Sequence, residues 1–201
     1  MNVIALGIDA SWTGLAVVAL MSDGSVRHER FSSKPLAGVS EYERLDKLGN
    51  AFIGFIDQYK TDVLAIENYA FGSKFGREKA GELGGHLRWL LWQRGMNPLF
   101  VPPTALKSFV CDKGNAEKNM MMMHAFRRWG FEAPDDDTCD AFCLAQFALD
   151  AHTSSTEASR KRVAACERLG PKQEVKPRAK KAKKTAHKSN SASRLPGLHS
   201  T

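Results

Sequence analysis

The apolar positions in the first part of the chain are grouped into short continuous runs separated by turns. Residues 3–8 and 14–20 are almost entirely apolar, a pattern typical of strands that are covered on both faces of a sheet. Asp23-Gly24 follows the second run and precedes residues 25–31, and this dipeptide favours a tight hairpin turn. The three segments therefore predict an antiparallel meander.

Helical and strand patterns alternate in the rest of the first 152 residues. Apolar residues recur at helical spacing over residues 39–59, where Ser40 is a candidate N-cap. Short buried strands are predicted at 63–66 and 99–101. Further helices are predicted over 79–94, 116–129, 137–152 and, as a short exposed helix, 157–169. This order predicts an α/β domain over residues 1–152, with a mixed five-stranded sheet (three antiparallel strands, then two parallel) flanked by helices.

The positive charge of the chain lies in its last residues. Residues 171–201 contain nine Lys or Arg and one acid, whereas the formal charge of the whole chain is only +7. The preceding 170 residues therefore carry a net charge of −1. With so little apolar surface to offset the entropy of ordering, the segment from about residue 171 is predicted to be disordered. Residues 153–201 are interpreted as a polar and basic extension.

Composition also excludes several classes of protein. The longest apolar run falls far short of the roughly 18–20 residues that a membrane span needs, so we expect no membrane association. The N-terminus lacks the basic segment of a signal peptide. The four cysteines show no paired framework, which favours a reducing, cytoplasmic location. Cys139 and Cys143 are four residues apart, and small core residues are a better interpretation of them than a metal pair.

Four acidic residues carry the candidate chemistry. Asp9 follows the first apolar strand, and Glu67 ends the fourth, at the sheet edge where ligands bind in open α/β folds. Asp137 and Asp140 are three residues apart, which places them on one helix face. Asp136 lies four residues before Asp140, and this spacing makes it the alternative to Asp137. Each acid alone would be read as a turn, strand-end or helix-start residue. Together they form an all-oxygen set suited to Mg²⁺ or Mn²⁺.

Longer motifs around these acids resemble one known family. The matching stretches, in chain order, are Gly7-Ile8-Asp9, Ala65-Ile66-Glu67, Pro102-Pro103-Thr104-Ala105-Leu106-Lys107, Lys113-Gly114-Asn115-Ala116-Glu117-Lys118 and Asp137-Thr138-Cys139-Asp140-Ala141. Between residues 3 and 148 the chain resembles the RuvC-type Holliday-junction resolvases of the ribonuclease H-like superfamily. Asp9-Ala10-Ser11 stands where bacterial members have Asp-Pro-Gly, and here the chain looks more like divergent phage-type members.

The resemblance implies a fold, an activity and a set of site residues. It implies a ribonuclease H-like homodimer that nicks four-way and other branched DNA symmetrically during recombination, repair or DNA processing before packaging. Asp9, Glu67, Asp137 and Asp140 would be the catalytic acids, holding two Mg²⁺ or Mn²⁺ ions per active site and leaving 5′-phosphate and 3′-hydroxyl ends. The location would be the cytoplasm of a bacterial or phage-infected cell.

Further residues are candidates for contacts with DNA. Lys107 and Lys118 match family positions near the site and are expected to contact the cleaved phosphate, although two solvated surface lysines would look the same. The loop after Glu67 combines aromatic and cationic residues that suit stacking on bases and contact with phosphates; a plain hydrophobic anchor for the loop is the alternative. The candidates in and next to this loop are Phe71, Lys74, Phe75 and Arg77.

Two rival functions share some of these features. A related ribonuclease H-like nuclease that cuts RNA–DNA hybrids or flaps would use the same four acids. A non-catalytic DNA-binding or packaging protein would depend on the basic tail and would not need them. Cleavage assays on four-way junctions, duplex and hybrid, each with and without Mg²⁺, distinguish the three functions.

Overall fold

The computed structural model describes residues 2–11, 14–32, 38–68, 77–154 and 156–169, and the loop and tail candidates of residues 69–76 and 170–201 lie outside this part. The strands are β1 Val3–Ala10, β2 Gly14–Met21, β3 Val26–Ser32, β4 Leu64–Glu67 and β5 Leu99–Val101. The helices are α1 Glu41–Gln58, α2 Arg77–Gln93, α3 Pro103–Cys111, α4 Lys118–Trp129, α5 Asp136–Thr153 and α6 Glu157–Leu169.

The five strands form one mixed sheet in the order β3-β2-β1-β4-β5. The β1–β2 and β2–β3 pairs are antiparallel, whereas β1–β4 and β4–β5 are parallel. This confirms the predicted α/β sheet of three antiparallel strands followed by two parallel ones. The continuous apolar runs of β1 and β2 are explained by their central place, where helices cover both faces.

Alternating side chains of the sheet enter two separate cores. Leu6 and Ile8 of β1 pack with α1 and α2 on one face. Ala5 of the same strand packs with α5 on the other face, and a Cβ atom on Gly7 would meet the carbonyl oxygen of Ala141 in α5 at only 1.9 Å. Small residues on this second face therefore let α5 lie directly against the sheet, which holds the start of α5 at the carboxyl end of β1.

Local signals explain most helix boundaries. Ser40 caps α1, because its side chain accepts a hydrogen bond from the backbone N–H of Glu43, and the Glu43 carboxylate accepts one from the backbone N–H of Ser40. The predicted N-cap is thus confirmed. Asp135 is the N-cap of α5, and its side chain accepts a hydrogen bond from the N–H of Thr138 at 2.8 Å.

Two helices differ from the sequence prediction. No helix is predicted between the fifth strand and residue 116, but α3 begins at Pro103, where the missing N–H of proline costs nothing. It ends at Cys111, and Asp112 follows as its C-cap in the left-handed conformation (φ 58°). The predicted exposed helix exists as α6, but Ser159 and Cys166 in it are buried. The Ser159 hydroxyl donates to the Asp150 carboxylate of α5 at 2.8 Å, so α6 packs on the domain.

The four cysteines lie inside the domain. All four cysteines are buried, and Cys139 and Cys143, which lie in α5, belong to the core between this helix and the sheet, as the interpretation of small core residues predicts. Within the part of the chain that the structure describes, every helix is too short or too polar to cross a membrane.

Candidate active site

Parallel pairing brings Asp9 and Glu67 to the same edge of the sheet. Ile8 of β1 is the register partner of Ile66 of β4, so the next residue in each strand is an acid at the carboxyl end. Both side chains lie on the face covered by α5, and a hydrogen bond joins the two carboxyl groups. Asp9 is almost completely buried, with 5% of its surface exposed.

The N-terminal part of α5 adds two further acids to this pair. Asp137 and Asp140 both lie close enough to Asp9 to raise its pKa through charge repulsion. The charge of Asp137 also raises the pKa of Glu67. The structure therefore brings together all four acids that the sequence analysis selected, from two strands and one helix.

Burial and mutual repulsion favour the protonated forms of these acids. Burial, followed by the charges of Glu67 and Asp140, raises the pKa of Asp9 well above its usual value. The pKa of Asp140 rises to about 7, again through burial first and then through Glu67. Burial also raises the pKa of Glu67, although the hydrogen bond with Asp9 offsets part of this rise. A divalent cation among these oxygens would relieve this repulsion.

Asp136 and Asp137, which residue spacing does not distinguish, differ in orientation in the structure. Asp137 is turned toward the site and its side chain is 19% exposed. Asp136 is 45% exposed and pairs with Lys118 of α4 at 3.3 Å. Asp136 therefore lies at the rim of the site, where its charge reaches Asp140.

A residue that sequence reasoning missed also belongs to this site. Arg30 of β3 donates from Nε and Nη2 to the Oδ2 atom of Asp137, at 3.0 and 2.8 Å. The strand register explains the contact, because Arg30 is the partner of Ala16, and Ala16 is the partner of Asp9. The three side chains therefore form one row across the sheet. Only this strand register distinguishes Arg30 from the other polar residues of β3, which is polar at most positions.

The two predicted lysines lie beside the acids. The charges of Lys107 and Lys118 both lower the pKa of Glu67 and that of Asp140. Arg77 begins α2, but its side chain lies outside the described part of the chain. Also outside it are the other loop candidates, Phe71, Lys74 and Phe75.

The donor set fits hard divalent cations, although the acids are engaged with other groups in this structure. Carboxylate oxygens are the ligands that Mg²⁺ and Mn²⁺ prefer. Among the described residues, no three His, Cys, Asp or Glu side chains are already arranged around a common metal position. Arg30 holds Asp137, and Asp9 is hydrogen-bonded to Glu67. The hydrogen bond between Asp9 and Glu67 must therefore break before the four acids share an ion.

Comparison with solved structures identifies the fold. RuvC of Thermus thermophilus superimposes with a TM-score of 0.60 at 20% identity, over 75% of this chain and 96% of that one. The chain has the RuvC fold. The same bacterium's RuvC in complex with a Holliday junction substrate gives a TM-score of 0.59 at 14% identity, over 75% of this chain and 95% of that one. The predicted ribonuclease H-like fold is thus confirmed.

Sequence comparison points in the same direction. The crossover junction endodeoxyribonuclease RuvC of Chloroflexus aggregans is 28% identical over 146 residues, which cover 70% of this chain and 89% of that protein. No protein-family model matches the chain. The resemblance to RuvC-type proteins inferred from the motifs is therefore confirmed.

Proposed function

We propose that this protein is a RuvC-type endonuclease that resolves four-way and other branched DNA junctions by symmetric, metal-dependent nicking. The observation that carries the proposal is the meeting of Asp9, Glu67, Asp137 and Asp140 at one edge of a RuvC fold. The similar protein of Chloroflexus aggregans is named a crossover junction endodeoxyribonuclease. Similarity to a bacterial RuvC also supports a cytoplasmic location, in a bacterial or phage-infected cell.

The four acids are the proposed ligands of two Mg²⁺ or Mn²⁺ ions. When bound, such a pair of ions activates an attacking water and stabilises the leaving oxygen of a phosphodiester. Asp9 is assigned the central role, because it is the most buried of the acids and interacts with the other three. The products would carry 5′-phosphate and 3′-hydroxyl ends.

Cations beside the acids are proposed to hold the DNA. Lys107 and Lys118 lie near enough to influence Glu67 and Asp140, so either ammonium group has the reach to contact a phosphate placed at the acids. An ammonium group acts there as a point charge. The loop candidates remain part of this proposal on sequence grounds alone, namely Phe71, Lys74, Phe75 and Arg77.

Symmetric nicking needs two active sites, and α2 offers a surface for a homodimer. Trp89 and Trp92 are 51% and 72% exposed. Gly85 lies one turn before Trp89 on the same helix face, and a Cβ on this glycine would meet no described heavy atom within 4 Å. This face would allow a second helix to approach closely. Sedimentation analysis of Trp92→Glu against wild type tests the idea, and an unchanged dimer would contradict it.

Cleavage of defined substrates tests the proposed reaction. Wild type is incubated with a four-way junction, a flap, an RNA–DNA hybrid and plain duplex, each with and without Mg²⁺. We expect Mg²⁺-dependent paired nicks that are fastest on the junction. Faster cutting of the hybrid or the flap would favour the related nuclease activity, and absence of cutting in Mg²⁺ and in Mn²⁺ would favour a non-catalytic DNA-binding protein.

Three substitutions test the site assignment. Asp9→Asn is expected to keep junction binding but to lose cleavage by orders of magnitude, because it removes the central carboxylate. Asp137→Asn should be far more harmful than Asp136→Asn, which is the matched control at the rim. Near-normal cutting by Asp9→Asn would refute the site, and the reverse ranking of the other two would move the ligand by one residue.

A further inference from the structure

The ion pair between Arg30 and Asp137 has an unusual geometry. Both donors of Arg30 bond the same oxygen, Oδ2 of Asp137, at 3.0 and 2.8 Å. The exposed pair of Arg94 and Asp57 has the common fork instead, with Nε on Oδ1 at 2.7 Å and Nη2 on Oδ2 at 3.0 Å. Arg30 therefore occupies one oxygen of Asp137 and leaves Oδ1 to other partners, whereas Arg94 occupies both oxygens of its acid.

Gly14 provides the space for this arrangement. A Cβ atom at position 14 would lie 2.5 Å from Oδ2 of Asp137 and 3.0 Å from Nη2 of Arg30. Any side chain at this start of β2 would therefore displace the ion pair. Among the described residues, the ends of two flexible side chains are the only atoms within 3.0 Å, so we expect that an alanine there would shift the pair and leave the strand in place.

We propose that Arg30 is a positioning residue that restricts Asp137 to metal ligation through one oxygen and thereby makes the site select Mg²⁺ over Ca²⁺. This inference rests on the proposed function, because it assumes that Asp137 is a ligand. Arg30 is well placed for the role, since it lies in the same row across the sheet as Asp9.

The selectivity follows from the different demands of the two ions. Mg²⁺ requires six ligands in near-ideal octahedral geometry, usually from carboxylates that each offer one oxygen. Ca²⁺ accepts six to eight oxygens and readily takes both oxygens of one carboxylate. With Oδ2 bonded twice to Arg30, Asp137 has one oxygen left to offer. Loss of Arg30 would release Oδ2 and benefit Ca²⁺ more than Mg²⁺.

The test compares the affinities of the two ions in the absence of DNA. Calorimetric titration of the full-length protein with Mg²⁺ and with Ca²⁺ is carried out for wild type, Arg30→Met and Arg30→Lys. We expect Arg30→Met to raise the ratio of Ca²⁺ affinity to Mg²⁺ affinity by about tenfold, roughly the value of one charge-assisted ligand contact. Arg30→Lys keeps a donor for Oδ2 and should stay near the wild-type ratio. Both ions carry the same charge, so the ratio is insensitive to the lost positive charge.

Two further variants serve as an independent test and as a control. Gly14→Ala displaces the same ion pair without removing it, and it should shift the ratio in the direction of Arg30→Met. Arg94→Met breaks the pair with Asp57 and should leave the ratio unchanged. An unchanged ratio in both Arg30→Met and Gly14→Ala would overturn the role of Arg30. A wild-type protein that binds neither ion and also fails to cut the junction in Mg²⁺ would instead overturn the proposed metal-dependent function.

Discussion

Replacement of Gly7 by alanine should disrupt the contact on which the active site depends. Gly7 lies in β1 two residues before Asp9, and the backbone of α5 crosses directly above it. A Cβ atom at this position would lie 1.9 Å from the carbonyl oxygen of Ala141 and 2.4 Å from the amide nitrogen of Ala145. Both clashes involve helix backbone, which cannot rotate away as a side chain can.

The distances set the size of the effect. Moving the Ala141 oxygen from 1.9 Å to the 3.4 Å of ordinary contact requires a displacement of α5 by about 1.5 Å. Overpacking in a core that can adjust by side-chain movement costs about 1–3 kcal/mol. Because backbone must move here, we expect Gly7→Ala to lower the free energy of unfolding by at least about 3 kcal/mol, a large part of the roughly 5–15 kcal/mol of a typical domain.

Urea unfolding followed by circular dichroism measures this loss, and Gly54→Ala is the matched control. Gly54 lies on the exposed side of α1, and no described heavy atom would come within 4 Å of its Cβ. The control should therefore gain about 0.5–1 kcal/mol from helix propensity. Since α5 carries Asp140, Gly7→Ala should also weaken the stabilisation of the protein by Mg²⁺. A loss below 1 kcal/mol in Gly7→Ala would refute the close packing of β1 and α5.

Three further predictions concern other parts of the chain. Asp140→Asn should stabilise the metal-free protein at pH 8 by about 1–4 kcal/mol, because the pKa of about 7 means that folding then buries an unfavourable charge. This gain should be smaller at pH 5, where the folded carboxyl is protonated; a gain independent of pH in urea unfolding would contradict the assignment. Deleting residues 171–201 should weaken binding to junction and duplex alike and flatten the salt dependence in a salt titration, through loss of phosphate contacts. Equal salt slopes would show that the tail does not bind DNA. Ser40→Ala should cost about 1 kcal/mol of stability in thermal unfolding, through loss of the α1 cap, and an unchanged melting temperature would contradict this.

Much of the fold was predictable because its signals are local. Strands covered on both faces show as unbroken apolar runs, and β1 and β2 both do so. Ser40 and Glu43 form a capping box that is visible in the sequence. Helix α3, which the sequence analysis did not predict, follows Pro102 and begins at Pro103; proline suits the first turn of a helix as well as the end of a strand.

Some residues of the candidate site were predictable from local sequence signals, and others were not. Asp9 and Glu67 were predictable, since each acid directly follows a buried strand, and parallel strands end at a common edge. The choice between Asp136 and Asp137 was not decided by spacing. In the structure, the rotation of α5 against the sheet turns Asp137 inward and leaves Asp136 paired with Lys118, which supports Asp137 as the proposed ligand.

Arg30 shows what only the tertiary structure decided. Its sequence neighbours in β3 are mostly polar and exposed, so no periodic pattern distinguishes it from a solvated edge-strand residue. Its partner Asp137 is 107 positions away in the chain, and the two meet because the register of β1, β2 and β3 places Arg30 in line with Asp9 beneath the start of α5. The sequence alone determined which residues could bind a metal ion, because that property belongs to the side chain. Which groups hold and orient those ligands depends on strand register and helix packing, which arise from contacts across the whole domain.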